Sequence, residues 1–168
     1  QERGHFHAYY DNYCYLPLYV FAGQDMLACV LRPSDRDPAS VVTALIKRLL
    51  VPLRRAWPKT KIIVPADSGF CRPRVLQRLE RWGVSYIIGL QKNSRLKQQV
   101  ELAELALAEQ YVAKQTKQRM FGEFEYAAGT WDKPRRVIAR LEHGQQGANP
   151  RFIVTDLHNN QLAGFHPG

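Results

Sequence analysis

Asp67 stands at the end of a short apolar run, Ile62, Ile63 and Val64, and directly before a segment that carries Arg72, Arg74, Arg78 and Arg81. A carboxylate in that place can hold a divalent cation or serve as a working acid, while guanidinium groups beside it engage phosphates. The same residue types also suit a plain structural role, because an Asp or Ser at a turn accepts backbone N–H groups and caps the helix that follows. On these residues alone both readings stand.

The elements around Asp67 follow from pattern. The β-branched run predicts a strand buried on both faces, broken by the turn residues Asp67, Ser68 and Gly69. Pro73 suits the first turn of a helix, Val75, Leu76, Leu79 and Trp82 recur at helical spacing, and Gly83 fits just past its end. Val84 to Leu90 then predicts a second buried strand. A strand, helix, strand unit defaults to a right-handed parallel crossover, and ligand chemistry in such sheets collects at the carboxyl ends of the strands, where Asp67 lies.

A chain of 168 residues with 45% hydrophobic content can bury one sizeable core. No apolar run approaches the roughly 20 residues that cross a bilayer, and no signal segment follows Gln1, so a soluble, cytoplasmic protein is expected. Cys14, Cys29 and Cys71 are an odd number without metal-type spacing, which argues against a disulfide framework or a zinc ribbon. The formal net charge is +9, and Ser34 to Lys97 holds 14 Lys or Arg against 4 Asp or Glu, more than the whole excess. That concentration points to a polyanionic partner, nucleic acid first, with a solvated basic face as the plainer explanation.

Elsewhere, Tyr13 to Ala22 and Met26 to Arg32 predict an antiparallel hairpin turning at Gly23, Gln24 and Asp25, with Pro17 marking an edge or a bulge. Asp37 and Pro38 predict a helix start, leading into a stripe of Val41, Val42, Leu45, Ile46, Leu49 and Leu50 that Pro52 should kink or end. Leu96, Val100, Ala103, Leu107 and Tyr111 mark a long helix with a core-facing stripe. From Lys117 the period shortens to that of strands, in MFGEFEYAAG, PRRVIARLEH and PRFIVTDLH. Glycine-rich nucleotide fingerprints are absent. His5 and His7 share a strand face and form the minimum of a metal pair, without a third ligand at a telling spacing. Asp35 and Asp37 read as turn and cap residues, and Asp11 beside Asn12 reads as a turn.

Several of these stretches, taken in order, resemble the catalytic domain of DDE-type transposases of bacterial insertion sequences: HFHAYYDNYCYLPLYVFAG, LRPSDRD, WPKTKIIVPADSGFCR, YIIGLQKNSRL, W-x-x-x-RRVIARLEH and GANPRFIVTDL. The likeness runs from Gln1 to about Leu157, and its most specific piece is ADSGF between the apolar strand and the basic helix. It implies an α/β, ribonuclease H-like fold, a mixed sheet flanked by helices with a β-rich insertion, in which three acids hold two divalent metal ions, magnesium or manganese, for cutting and joining DNA. Asp67 corresponds to the second acid, and is thereby both the catalytic and the metal-ligating candidate. The expected layout is a partial catalytic core over 1–113, the insertion over 114–157 and a tail over 158–168.

The departures carry equal weight. The family's first acid belongs to a strand motif of which Gln1 is the last residue, and no glutamate helix of the family type follows Leu157. The resemblance therefore implies a fragment with one of three acids, lacking the first strand and last helix and inactive alone. It further implies DNA as partner, no membrane, and a homodimer in the intact enzyme. Arg72, Arg74, Arg78, Lys92, Arg95, Lys97, Arg135 and Arg136 are the candidate phosphate contacts. Trp131 is a candidate for stacking on a flipped base, against the plainer expectation that it packs on the hairpin. A noncatalytic nucleic-acid-binding protein with the same basic face is the alternative.

Overall fold

The computed structural model describes residues 5–7, 12–33, 37, 39–158 and 164–167. The chain divides into two compact units, Gln1–Thr60 and Lys61–Gly168. Asp11, Asp35 and Pro38 lie outside the described residues.

In the first unit, β1 (His5–His7) and β2 (Asn12–Cys14) pair antiparallel, with His5 opposite Cys14. β3 (Leu18–Ala22) and β4 (Asp25–Val30) form the expected hairpin, turning through Gly23 at φ +62°. That backbone region is one that glycine enters without strain. The ladder shifts register between Val20 and Phe21, so the bulge expected near Pro17 falls three residues further on. Arg32 is buried, and its Nε donates to the Leu16 carbonyl at 3.0 Å. α1 (Val42–Ala56) begins after the predicted Asp37 start, because Asp37 accepts the Ala39 N–H at 2.9 Å and closes a turn ahead of the helix. Pro52 does not end α1: Val42, Ile46 and Leu50 are buried before it, and the next turn re-forms with Trp57 N–H donating to Leu53 at 2.8 Å.

The second unit is a mixed sheet with two packed helices. Its elements are β5 (Ile63–Ala66), a single 3-10 turn (Ser68–Phe70), α2 (Pro73–Arg81), β6 (Ser85–Leu90), α3 (Ser94–Lys114), β7 (Gln118–Tyr126), β8 (Arg135–Gly144), β9 (Gly147–Ala148), β10 (Arg151–Thr155) and β11 (Gly164–Pro167). The strand order is β11-β7-β8-β10-β6-β5, with β9 paired to β8. β5 and β6 are parallel, as the crossover required, and every other pairing is antiparallel. The three strands expected after Lys117 are β7, β8 and β10, and β10 pairs directly with β6, so they continue the sheet. β11, in the segment expected to be a tail, pairs with β7.

One sheet face is the core. Tyr86, Ile88, Val137, Ala139, Leu141, Phe152 and Val154 are buried there, against Val75, Leu76 and Leu79 of α2 and Leu96, Val100 and Leu107 of α3. α2 ends in a Schellman arrangement, Val84 N–H to Leu79 at 3.0 Å and Gly83 N–H to Glu80 at 3.1 Å, with Gly83 at φ +61°. α3 starts on Asn93, whose side chain accepts the Leu96 N–H at 2.9 Å. β5 corrects an expectation. It is the edge strand of the sheet, and Ile63 keeps 43% of its surface exposed, so the β-branched run is covered on one face only. Among the described residues no helix is long and apolar enough to cross a membrane, and Cys29 and Cys71 are free thiols.

Glu104 on α3 has a buried Oε1 without a hydrogen-bond partner, and burial raises its carboxyl above the ordinary range. A raised folded-state value means that ionisation opposes folding, so this contribution is absent at low pH and grows as pH rises from ~4.3 through the folded value. Glu104→Gln is expected to raise the melting temperature at pH 8 and to leave it unchanged at pH 4, as measured by thermal denaturation across that range.

Candidate functional site

Asp67 is the first residue beyond β5, at the carboxyl end of the parallel pair, and its side chain is exposed. Its Oδ1 accepts the Gly69 N–H at 2.7 Å, capping the 3-10 turn. The local bond thus fixes one carboxylate oxygen and leaves the other to solvent. The turn itself depends on Gly89 of β6. A Cβ at Gly89 would lie 2.8 Å from the Ser68 backbone nitrogen and 3.3 Å from the Asp67 carbonyl carbon. Strand alternation with the buried Ile88 sends that missing Cβ to the sheet face opposite the helices, so the Asp67 turn leans over the open face.

The cations divide into two groups. Arg74, Lys92, Arg95 and Lys97 are exposed, while Arg72, the N-cap residue of α2, and Arg78, in its last turn, are half-buried. Lys92 and Asn149 are bridged by a hydrogen bond at 3.4 Å, which links the segment after β6 to the start of β10. Arg135 and Arg136 occupy different surroundings from this group. The Arg135 side chain is only 2% exposed: Nε donates to Glu80 Oε1 at 2.7 Å, and Nη2 donates to Glu80 Oε2 at 3.2 Å and to Asp132 at 2.9 Å. Lys133 and the Tyr86 hydroxyl complete the shell of Glu80, at 2.9 and 2.8 Å. Burial works against charge at both ends, yet these bonds outweigh it, holding the Glu80 carboxyl below its ordinary range and raising the Arg135 guanidinium. Burial and the Glu80 bond together push the Tyr86 hydroxyl up. Arg136 binds Glu123 and the Leu157 carbonyl.

Trp131 packs edge-on against Tyr126, with ring centroids 5.6 Å apart, and Arg135 lies 5.4 Å from its ring centre. The backbone of His5 and His7 lies in β1. Among the described residues no three His, Cys, Asp or Glu side chains group as a metal site. Asp67 supplies one carboxylate, too few oxygens to fix a divalent ion that demands about six. Sequence reasoning missed the Glu80 cluster, although the alternation of Val137, Ala139 and Leu141 already placed Arg135 on the core side.

A family model described as transposase DDE domain group 1 matches residues 1–165. The chain belongs to the transposase DDE domain family. No curated protein and no solved structure matches it significantly. Within a DDE domain, the placement of Asp67 at a parallel strand's carboxyl end, beside cationic α2, is the arrangement that carries the functional reading.

Two substitutions test this geometry. Gly89→Ala is expected to destabilise the domain by about 1–3 kcal/mol, because backbone rather than a flexible side chain must shift, and to strip the Gly69 amide of its protection in hydrogen exchange. Arg135→Met, which leaves Glu80 without its main partner, is expected to cost about 3–5 kcal/mol in chemical denaturation.

Proposed function

We propose that this chain is part of the catalytic domain of a DNA transposase, with a ribonuclease H-like core, acting in the bacterial cytoplasm. Asp67 is one of its metal-ligating acids. The observation that carries the reading is the exposed carboxylate at the end of β5, immediately before cationic α2, in a chain of the DDE family. Divalent metal ions would supply activation of the attacking oxygen and stabilisation of the leaving one. One carboxylate does not fix two such ions, so the remaining acids come from elsewhere in the transposase, and residues 1–168 alone do not cut DNA. In this reading 1–113 belongs to the core, and 114–157 is an insertion whose strands extend the core sheet. The intact enzyme works as a homodimer.

Arg72, Arg74, Arg78, Lys92, Arg95 and Lys97 contact DNA phosphates near the scissile bond. Arg135 and Arg136 support the sheet that carries them, which follows from their bonds to Glu80 and Glu123.

Two measurements bear on this. Binding of a DNA duplex is expected to weaken steeply as salt rises, with log affinity falling by about 0.9 per phosphate contact for each tenfold rise in salt; affinity indifferent to salt refutes the DNA surface. Supercoiled plasmid with magnesium or manganese is expected to stay intact, and nicking that persists in an Asp67→Ala variant refutes the catalytic assignment. Millimolar manganese is expected to broaden the Ser68 and Gly69 amide resonances in the wild type but not in Asp67→Asn. A noncatalytic nucleic-acid-binding role predicts the salt dependence without that broadening.

A further inference from the structure

The sheet face opposite the helices carries more positive charge than its carboxylates match at one end. Lys117 just before β7, Arg119 of β7 and Arg140 of β8 converge on a single acid, Glu142, whose side chain is 7% exposed. Lys117 and Arg119 take it at 3.2 and 2.8 Å, whereas Arg140 Nε stays at 3.8 Å and has no hydrogen bond although it is buried. The bonds from Lys117 and Arg119 hold the Glu142 carboxyl below its ordinary range, so it is ionised and fully engaged.

Arg151 then makes the excess acute. It pairs directly opposite Arg140 in the β8–β10 ladder, and its side chain is exposed. Like charges directly opposite on one face of a sheet repel. Phe121 is the other cross-strand neighbour of Arg140, so this row holds two guanidinium groups and an aromatic ring with no acid.

The patch and the Asp67 turn share a face and an end of the sheet. Ile153 pairs with Gly89, over which Ser68 leans, and Arg151 is two residues from Ile153 on the same side. Strand spacing and rise place the α-carbons of Arg151 and Gly89 roughly 8 Å apart. Lys92 reaches the same region through Asn149.

We infer that Arg140 and Arg151 form a phosphate clamp that grips the nucleic-acid backbone beside the Asp67 turn. The clamp rests on the reading of DNA as the partner. A phosphodiester oxygen between the two guanidinium groups removes their repulsion and gives Arg140 Nε an acceptor, so the site is complementary to a bound anion.

The test is anisotropy of a fluorescein-labelled DNA duplex titrated with the full chain at several potassium chloride concentrations. Wild type, the double variant Arg140→Gln/Arg151→Gln, and a charge-matched control on α1, Lys47→Gln/Arg48→Gln, are compared. The clamp predicts that the double variant loses roughly tenfold in affinity and that its salt slope falls by about 2, with the control within about twofold of wild type. If the wild type binds and the double variant matches it, or the control loses as much, the clamp is refuted while DNA binding stands. A wild type that does not bind refutes both. Arg151→Gln alone is expected to melt at or above the wild-type temperature because repulsion is relieved; a lower value shows Arg151 to be a structural strut and overturns the assignment.

Discussion

β6 has to satisfy two ladders of opposite sense at once, parallel to β5 and antiparallel to β10. Everything at the candidate site follows from that double obligation. The parallel side brings the carboxyl end of β5, and with it Asp67, level with Gly89. The antiparallel side brings the start of β10, with Arg151, to the same end of the sheet. A side chain at Gly89 would break the arrangement on the side where the acid turns away, which makes an unsubstituted α-carbon a condition of the site. The buried alternation of Tyr86 and Ile88 fixes which face is which.

The Glu80 cluster performs a second positioning task. A buried ion pair adds little net stability, because desolvation of both charges offsets their attraction. It does impose geometry. Two guanidinium nitrogens on two carboxylate oxygens, with the Tyr86 hydroxyl on one of them, tie α2, β6 and β8 at fixed orientation. The helix that follows Asp67 is therefore held near its C-terminal end as well as by its apolar stripe, and the cations along it inherit that placement.

Much of this was legible in the residues. The strand, turn, helix and strand around Asp67 are local, and each follows from short-range chemistry: β-branched residues, an Asx turn, Pro73 at the first helical position and Gly83 at the end. α3 and the strands β7, β8 and β10 were readable from their periods. What escaped was set by pairing between distant residues. Glu80 and Arg135 are 55 positions apart, and the Arg140 and Arg151 juxtaposition exists only once the β8–β10 register is known. The start of α1 was misplaced because Asp37 caps a turn as readily as a helix. β5 was read as buried on both faces because its composition is the same whether one neighbour or two lie beside it.

Pro65 gives that outer position of β5 a further meaning. A proline within an edge strand removes one backbone donor, which is a common way to keep an exposed rim from templating the growth of further strands. The rim beside the acid is therefore selective in the ladder it accepts: a partner strand must match a row with a gap in it. Indiscriminate self-association of the kind that leads to fibrils is discouraged at the place where the Asp67 carboxylate lies exposed.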